Sequence, residues 1–488
     1  MAHVQSGKHW IDGAFLTSGT ERAAINPANG EAIGSFYDGG AAEAERAVAA
    51  AKRVFAETEW KSDAVRRSVA LARLADAFEK RGDDLAALLS LENGKIAAEA
   101  RFEIALLLRT LRFQAGLAMQ TFGRVLEAKP GSMSMVLREP IGVAGHIIPW
   151  NSPAVLFIRS LAPGLAAGTT AVVKMPSQAA LVSTMMAEII AEIREIPQGA
   201  VNIFVESGAE GAKHLVASPC VPALSFTGST AIGRVIAQTA AAHFKRLGLE
   251  LGGKSPHLIF DDADLSAALP RIEKSSTTFT GQFCMAAGRL LAQRGIAASL
   301  REGLAARLKA VKVGPACDPA SEMGPLIDKR NVERVDHMVQ EAIAAGAKVI
   351  VRGGPVTEGA LSSGAFYRPT LLEIEDPKMR IAQEEVFGPV QTLQVFDTEA
   401  QAVALANDSV YGLSSSIWSR DIDRPMRVAR QLETGLVSIN EWINYGAQFE
   451  IGGVKHSGLG RMGGLGSLDM FLEYKQIGHA YGIAGAAH

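Results

Sequence analysis

The sequence has very few cysteines, few aromatic residues and no long run of charges of one sign. Its three cysteines, Cys220, Cys284 and Cys317, are an odd and sparse set that suits a reducing compartment better than a disulfide framework. The 49 basic and 51 acidic residues give a formal charge of −2, unlike the basic composition of proteins that bind nucleic acid or anionic membranes. The sequence therefore predicts small-molecule partners, with no nucleic acid and no membrane among them.

Long hydrophobic runs are also missing. Arg159, Pro163 and Glu188 interrupt the most apolar stretches before they reach the length of a membrane span, and the first residues, MAHVQSGKHWIDG, contain no apolar core of a secretory signal. The ten histidines show no HExxH or paired spacing, so the sequence predicts no metal site. We therefore expect a cytoplasmic protein without a bound metal.

Glycine and aliphatic residues, by contrast, are plentiful. Of the 488 residues, 48% are hydrophobic and 49 are glycine, whereas only 6% are aromatic, which is typical of α/β enzymes with buried parallel strands. The length exceeds the size at which one hydrophobic core stops growing, so we expect two or three domains. Between residues 40 and 115 apolar residues recur every three or four positions, which predicts helices, and no chemistry is visible there.

From residue 141 onward, short apolar runs such as IGVAGHIIP, TAVVKMP and VNIFV alternate with amphipathic stretches. This alternation predicts βαβ units on a parallel, doubly wound sheet. Asn151, Lys174 and Gly228 fall at the carboxyl ends of the predicted strands, where such sheets bind ligands. A second alternating series, from residue 255 through a predicted helix that holds Cys284 to residue 440, predicts a second α/β domain.

Two further segments are typical of strands outside these sheets. Residues 118–137 resemble an extended hairpin with Pro130 and Gly131 at its turn, and residues 471–478 resemble a single strand. Unattached strands of this kind often pair across subunits. We therefore expect a homodimer or a homotetramer.

Cys284 lies in the segment GQFCMAAGR, and separate motifs supply the partners that a nucleophilic thiolate needs. An aldehyde attacked by a thiolate becomes a tetrahedral thiohemiacetal, whose oxyanion requires preorganised donors. The amide of Asn151, on the stiff corner before Pro153, can be one donor, and the backbone N–H of Cys284 can be another. Glu250, in LELGGKSP, can activate the water that hydrolyses the resulting thioester.

Other motifs fit a nicotinamide cofactor. In EEVFGPV, Phe387 can supply a flat contact for the nicotinamide ring and Glu385 can hold its ribose. Lys174 is suited to the adenosine end. The glycine-rich segment FTGSTAIG predicts a helix N-terminus near the pyrophosphate, although its spacing differs from GxGxxG.

Together these motifs resemble those of the aldehyde dehydrogenase superfamily. FTGSTAIG, LELGGKSP, GQFCMAAGR, EEVFGPV, GLVSIN and GGVKHSGLGR occur in the family's order, and the resemblance extends from about residue 10 to residue 475. It implies that Cys284 is the nucleophile, Glu250 the base and Asn151 the oxyanion donor. It also implies an NAD or NADP site formed by Ile147, Pro149, Trp150, Lys174, Ser177, Gly228, Ser229, Gly233, Leu251, Glu385 and Phe387.

The resemblance implies an α/β fold with a Rossmann-like cofactor domain, an α/β catalytic domain and a small β oligomerisation arm. We predict that residues 1–117 and 138–252 form the NAD(P)-binding domain and residues 253–454 the catalytic domain. The hairpin, residues 118–137, and the C-terminal residues 467–488 would form the arm.

The chain departs from the family pattern at three positions. Ser177 stands where many NAD-using relatives carry a glutamate that binds the ribose hydroxyls and repels a 2′-phosphate, so we predict dual use of NAD and NADP or a preference for NADP. Ser160 and Met462 stand where the family often has a lysine and a glutamate, an ion pair assigned to proton exit. Losing both partners avoids an unpaired buried charge.

The substrate would enter a tunnel whose lining the resemblance assigns to Leu156, Arg159, Phe283, Met285, Trp442, Tyr445 and Phe449. The aromatic and sulfur side chains favour an apolar or aromatic aldehyde. Arg159 could instead attract a substrate carboxylate or phosphate, but a surface or interface salt bridge is the more economical interpretation of that residue.

Two alternative functions remain open from the sequence. In a CoA-acylating relative, a thiol rather than water would resolve the thioester. That route needs no hydrolytic base, so the presence of Glu250 argues against it. A noncatalytic NAD(P)-binding or structural protein is the other alternative, and the joint presence of Cys284, Asn151 and Glu250 argues against it.

Overall fold

The structure is a computed structural model that describes residues 6–443 and 446–481. Two large sheets, each with helices on both faces, account for most of the chain, and smaller sheets complete it. This is the α/β class that the alternating pattern predicts. Within the described residues, no helix combines the length and the apolar character needed to cross a membrane.

The strands of the first half of the chain are β1 (Ser6–Gly7), β2 (His9–Ile11), β3 (Ala14–Leu16), β4 (Thr20–Ile25), β5 (Ala32–Asp38), β6 (Arg124–Lys129), β7 (Ser132–Pro140), β8 (Val143–Ile147), β9 (Thr170–Pro176), β10 (Val201–Glu206), β11 (Ala223–Thr227) and β12 (Arg246–Glu250). Those of the second half are β13 (Ser255–Ile259), β14 (Ala287–Gln293), β15 (Lys348–Val351), β16 (Gly354–Pro355), β17 (Tyr367–Arg368), β18 (Thr370–Glu373), β19 (Val390–Phe396), β20 (Ser414–Trp418), β21 (Leu436–Ile439), β22 (Gly458–Leu459) and β23 (Leu472–Ala480).

The α-helices are α1 (Ala41–Glu57), α2 (Ala64–Lys80), α3 (Gly82–Asn93), α4 (Ala97–Leu117), α5 (Pro153–Ala167), α6 (Ala180–Ala191), α7 (Glu210–Ala217), α8 (Thr230–Ala241), α9 (Leu265–Thr277), α10 (Arg294–Ala310), α11 (Lys329–Ala344), α12 (Arg380–Gln383), α13 (Glu399–Asn407) and α14 (Arg424–Ala429). Helices α1 to α4 occupy the region in which the apolar spacing predicts helices.

The first large sheet has the order β22-β12-β11-β8-β9-β10-β2-β3, and its five central strands, β12 to β10, are parallel. Both of its faces are covered. In β9, Ala171 and Val173 pack into a core with helices α2 to α6, whereas Val172 points to a second core with α1, α7 and α8. Strands buried on both faces need a continuous apolar sequence, and this explains why TAVVKMP does not alternate with polar residues.

The second large sheet has the order β15-β18-β19-β14-β13-β20-β21 and is parallel except at β15. Leu290 packs against α9 and α10 on one face, and Leu291 packs against α13 and α14 on the other. The two sheets are joined by residues 251–254, which connect β12 directly to β13. We call these four residues the crossover.

The predicted hairpin and C-terminal strand form a separate three-stranded sheet. Strands β6 and β7 pair around Pro130 and Gly131, and β23 pairs with β7 in an antiparallel register from Leu472 opposite Pro140 to Ala480 opposite Ser132. The hairpin prediction is therefore confirmed. All six residues of β6 are exposed, so its outer edge is open in the single chain. The assignment of this sheet to a domain stays a prediction.

The expectation that Cys284 lies on a helix is wrong. Helix α9 ends at Thr277, and the short 3-10 segment Thr278–Gly281 that follows is interrupted because Phe279 and Thr280 adopt left-handed φ values of 51° and 57°. Left-handed residues cannot continue a right-handed helix. Cys284 consequently lies in a turn between this segment and β14.

Candidate active site

A cavity of about 350 Å³ lies where the carboxyl ends of β8, β11 and β12 face the turn that holds Cys284. Asn151, Glu250 and Cys284 all line it. Asn151 and Glu250 are 99 positions apart in the sequence, and Cys284 follows Glu250 by 34 positions, so the fold brings three separate segments to one space. The position at the carboxyl ends of parallel strands is where ligands bind in open α/β sheets.

Asn151 is held at the corner between β8 and α5. Pro153 occupies the first turn of α5, where its missing N–H costs no hydrogen bond. The Asn151 side-chain amide, Nδ2, donates a hydrogen bond of 3.0 Å to the backbone oxygen of Gln282, two residues before Cys284. The donor group is therefore directed at the turn that holds Cys284, which we call the cysteine turn. An oxyanion on a carbon bonded to the Cys284 sulfur would need a donor in this position.

Helix α4 supports this corner through a buried ion pair. Lys95 Nζ lies 3.1 Å from Glu103 Oε2 and donates to the backbone oxygen of Asn151. Glu103 Oε1 accepts hydrogen bonds from the backbone N–H groups of Ala154 and Val155, at 2.8 and 3.1 Å, and so satisfies free donors at the start of α5. The region between residues 40 and 115, where the sequence shows no chemistry, thus supplies structural support for the predicted oxyanion donor.

Cys284 is partly exposed to the cavity. Desolvation, and then the negative charge of Glu250, raise the pKa of its thiol to about 12, while Arg159 acts in the opposite direction. The thiol is thus protonated at neutral pH in this structure. Because only the thiolate is an effective nucleophile, a nearby group must accept its proton before attack.

Glu250 is the last residue of β12, where it is opposite Gly458 of β22. It is buried, and among the described residues neither of its carboxylate oxygens has a hydrogen-bond partner of good geometry. Desolvation raises its pKa, whereas the positive charges of Arg159 and Arg461 and the nearby backbone N–H of Gly453 lower it. A buried carboxylate with few hydrogen bonds is suited to accept a proton from a thiol or a water.

Arg159 is not at the surface, and the interpretation as a surface or interface salt bridge is wrong. It lies on α5, is buried and lines the cavity. Its Nη1 is 3.6 Å from Glu250 Oε2, and its Nη2 donates a hydrogen bond of 3.2 Å to Thr227 Oγ1. The residue is in a salt bridge, but its partner is the predicted catalytic base.

The residues predicted for the dinucleotide follow the same sheet edge. Gly228 comes directly after β11, and Ser229 caps α8 by accepting a hydrogen bond from the N–H of Ile232 at 3.4 Å. A Cβ on Gly233 would lie 2.5 Å from a methyl group of Leu251, so only glycine lets α8 pack this closely. This open helix start fits a pyrophosphate.

The adenosine and ribose positions are further along the edge. Lys174 is near the end of β9, and desolvation lowers its pKa while Glu206 and Asp38 oppose this. Ser177 directly follows β9 and lines a second cavity, which it shares with Gln178 and Ser207. Ile147 is buried at the end of β8.

Glu385 and Phe387 approach the cysteine turn from the second sheet. Glu385 Oε1 accepts a hydrogen bond of 3.1 Å from the N–H of Gly253, and burial raises the pKa of this carboxyl to about 7. Phe387 has a left-handed φ of 50° and meets Trp150 edge-on, with ring centroids 5.5 Å apart. Pro149, Trp150, Leu251, Glu385 and Phe387 line the cavity with Cys284, so these residues fit the nicotinamide half of a dinucleotide.

The rest of the cavity is predominantly apolar. Of the predicted substrate residues, Leu156, Arg159, Phe283 and Met285 line it. Trp442 lines an adjoining cavity and packs edge-on against Phe283 at 5.9 Å between ring centroids. Phe449 is 50% exposed and is not among the lining residues, and Tyr445 lies outside the described residues.

Sequence reasoning missed several residues that line this cavity: Phe102, Leu106, Thr110, Gln114, Phe279 and Ile451. The first four are on one face of α4, at intervals of four residues. The same spacing is what packing against a neighbouring helix produces, so it could not distinguish a cavity wall from a helix contact.

Neither Ser160 nor Met462 supplies a charge near the cavity. Both are buried, the Ser160 hydroxyl has no hydrogen-bond partner within residues 6–443 and 446–481, and Met462 pairs with Ile451 through backbone hydrogen bonds. Among the described residues, moreover, no group of three or more potential ligands could hold a metal ion. The functional groups that line the cavity include the Cys284 thiol, the carboxyl groups of Glu103, Glu250 and Glu385, the Asn151 amide and the Arg159 guanidinium.

Comparisons with known proteins give consistent results. The Aldehyde dehydrogenase family model matches residues 15–477. The chain is 38% identical over 480 residues to geranial dehydrogenase from Castellaniella defragrans, which covers 97% of this chain and 98% of the relative. It is 37% identical over 472 residues to glutarate-semialdehyde dehydrogenase from Pseudomonas aeruginosa, 96% of each chain.

A solved structure is similar over the whole chain. The crystal structure of betaine aldehyde dehydrogenase from Staphylococcus aureus in complex with NAD+ matches with a TM-score of 0.96 and 35% identity. The match covers 100% of this chain and 97% of the other. The fold described above is therefore shared with an enzyme that binds NAD+.

Proposed function

Because the chain belongs to the aldehyde dehydrogenase family and is an NAD(P)-dependent aldehyde dehydrogenase, we propose that it converts an apolar or aromatic aldehyde into the free carboxylic acid. The observation that carries this proposal is the convergence of Cys284, Asn151 and Glu250 on one largely apolar cavity. A nucleophile, an oxyanion donor and a base in one space are the parts that thioester formation and hydrolysis require.

In the first step, the Cys284 thiol loses its proton to solvent water in the cavity, so that Glu250 stays ionised for the second step. The sulfur then bonds to the aldehyde carbon, and the carbonyl oxygen becomes an oxyanion. Asn151 Nδ2 and the backbone N–H of Cys284 would donate hydrogen bonds to it. The cofactor, when bound, accepts the hydride that leaves this carbon, and a thioester remains on Cys284.

In the second step, Glu250 would take a proton from a water molecule as that water attacks the thioester carbon. The carbon–sulfur bond breaks, the acid leaves, and Cys284 is regenerated. Phe387, Trp150 and Glu385 would hold the nicotinamide half against the cysteine turn during hydride transfer.

We further propose that subunits associate as a homodimer or homotetramer through the open edge of β6.

The substrate class follows from the walls of the cavity. Leu156, Phe283, Met285 and the α4 residues Phe102 and Leu106 provide an apolar lining. The cation in this lining, Arg159, is already paired with Glu250. An uncharged apolar or aromatic aldehyde therefore matches the site better than a carboxylated one. The geranial relative acts on an apolar aldehyde by its name, whereas the glutarate-semialdehyde relative does not.

The direct test is to follow nicotinamide reduction with aromatic, aliphatic, amino and carboxylated aldehydes, using NAD and NADP in parallel. We expect the highest kcat/KM with aromatic or long aliphatic aldehydes. A clear preference for a carboxylated aldehyde would overturn the proposed substrate class. Binding of cofactor without turnover of any aldehyde would instead favour the noncatalytic alternative.

Replacing Asn151 with alanine should lower kcat by about 10²- to 10³-fold, because one preorganised oxyanion donor is lost. KM should change far less, since the donor acts mainly after the tetrahedral adduct forms. Steady-state kinetics with one good aldehyde measures both. Asn151→Asp is the matched variant: it keeps the side-chain shape but places a negative charge beside the oxyanion, so it should be no more active than Asn151→Ala. Activity close to wild type in Asn151→Ala would contradict the assigned role.

Replacing Ser177 with glutamate should raise KM for NADP by about tenfold or more, because a carboxylate would face the 2′-phosphate. KM for NAD should stay unchanged or fall. Ser177→Gln controls for side-chain length without adding charge, and it should retain use of NADP. Wild-type enzyme that already rejects NADP strictly would show that Ser177 does not set the preference.

A further inference from the structure

Arg159 lies beside the predicted base, and both residues line the cavity that holds Cys284. Its Nη1 is 3.6 Å from Glu250 Oε2, and the two side chains are only 10% and 3% exposed. Nη2 is held by Thr227, the last residue of β11, so the guanidinium is fixed from a second side. A buried pair with this little exposure is only weakly screened by solvent.

The surroundings of Glu250 make the protonation state of its carboxyl group sensitive to this contact with Arg159. Among the described residues its carboxylate has no hydrogen-bond partner of good geometry, and burial favours the protonated form, which cannot act as a base, although the backbone N–H of Gly453 opposes this shift. The charged and titratable groups that act on it are Arg159 from α5, Arg461 from the segment after β22, and Cys284 from the cysteine turn. Ser160 and Met462 contribute no charge, so the two arginines supply the positive potential at this carboxylate.

We propose that Arg159 is a positioning residue that keeps Glu250 ionised and holds its carboxylate at the rim of the cavity until water enters. This inference rests on the proposed function, in which Glu250 activates water for thioester hydrolysis. It assigns Arg159 to the second half of the reaction. Hydride transfer to the cofactor should depend on it much less.

The same geometry argues against a role for Arg159 in holding a substrate carboxylate. An incoming carboxylate would have to displace Glu250 from the guanidinium and leave that buried base without its nearest counter-charge. The two roles predict different kinetics. A substrate clamp affects KM for charged aldehydes alone, whereas a positioning role affects turnover of uncharged aldehydes and its pH dependence.

The test compares Arg159→Met and Arg159→Lys with wild type on an uncharged aldehyde such as benzaldehyde. Stopped-flow measurement of nicotinamide reduction gives the first-turnover burst, and steady-state rates give kcat from pH 5.5 to pH 9.5. In Arg159→Met the burst should persist, kcat at pH 7 should fall about tenfold, and the rising limb of the kcat profile should move up by about one pH unit. The kcat profile of Arg159→Lys should lie close to that of wild type, because lysine keeps the positive charge.

Arg301→Met is the matched control, because it removes an arginine from an ion pair with Glu373, and neither of these residues lines the cavity. Its pH profile should equal that of wild type. If Arg159→Met does not fold, as judged by its thermal unfolding, Arg159→Gln carries the same expected shift, because it lacks the charge but can still bond to Thr227.

Two results would overturn the proposal. One is an unchanged kcat profile with a raised KM for carboxylated aldehydes only, which would make Arg159 a substrate clamp. The other is loss of the burst itself, which would mean that Arg159 acts on Cys284 before hydride transfer. A separate variant tests the proposed function itself. If Glu250 were not the base for thioester hydrolysis, Glu250→Gln alone would leave steady-state turnover unchanged.

Discussion

Replacing Cys284 with alanine is expected to reduce aldehyde-dependent nicotinamide reduction by about 10⁴-fold or more, because Cys284 carries the only thiol among the described residues that line the cavity. The cavity should remain intact, since alanine is smaller than cysteine. Binding of cofactor, followed by protein fluorescence, should therefore be retained. The measurement is the initial rate with a good aldehyde at saturating cofactor.

Cys317→Ala is the control for this experiment, because Cys317 is exposed and is not among the residues that line the cavity. It should have wild-type activity. An alkylating reagent should inactivate the wild-type and Cys317→Ala enzymes in parallel. Substantial turnover by Cys284→Ala would show that the reaction does not pass through a thiohemiacetal on this sulfur.

Replacing Glu250 with glutamine is expected to lower steady-state turnover by about 10²- to 10⁴-fold, which is the usual contribution of a general base. If hydrolysis is the step that suffers, one equivalent of reduced cofactor should still form rapidly in the first turnover. Stopped-flow absorbance separates this burst from the slow steady rate. The pH dependence of kcat in the wild-type enzyme should reflect the ionisation of the same carboxyl group.

The direction of that profile follows from the burial of Glu250, which raises its pKa above the ordinary value of a glutamate. The carboxylate is the active form, so kcat should fall as pH falls through this raised pKa. Glutamine cannot titrate, and Glu250→Gln should lack this limb. Absence of the limb in wild type would contradict the assignment of Glu250 as the base.

A strong nucleophile provides the control, since it needs no base to attack a thioester. Hydroxylamine should restore turnover in Glu250→Gln while leaving Cys284→Ala inactive. Coenzyme A distinguishes the acylating alternative. If it accelerated wild type and Glu250→Gln equally, with the acyl-CoA as product, hydrolysis would not be the natural second half of the reaction.

Much of the fold could be predicted because its signals are local. Buried parallel strands leave apolar runs such as TAVVKMP, and Pro130 with Gly131 marks a turn between β6 and β7. The Cys284 segment was harder. Its backbone leaves the helical region at Phe279 and Thr280, which are not residues that favour left-handed φ, so only contacts from distant parts of the chain can account for it.

The candidate site also has a part that the sequence could predict and a part that it could not. Cys284, Asn151 and Glu250 could be proposed because each is embedded in a distinctive segment, and the structure brings all three to one cavity. The pairing of Arg159 with Glu250 could not be predicted, because it joins residues 91 positions apart on a helix and a strand and depends on side-chain direction. The buried pair of Lys95, just before α4, and Glu103, on α4, was likewise overlooked, since both resemble ordinary surface charges in the sequence.

The crossover, residues 251–254, limits how this protein can be engineered. It begins directly after Glu250 and leads into the second large sheet, and it is fixed by hydrogen bonds from Leu251 N–H to the oxygen of Ser457 and from Gly253 N–H to Glu385. A Cβ on Gly252 would lie 2.4 Å from Glu385 Oε2. A tag, a linker or a new chain terminus introduced here would separate base from nucleophile. The exposed turn at Pro130 and Gly131, outside both large sheets, is the better place for an insertion.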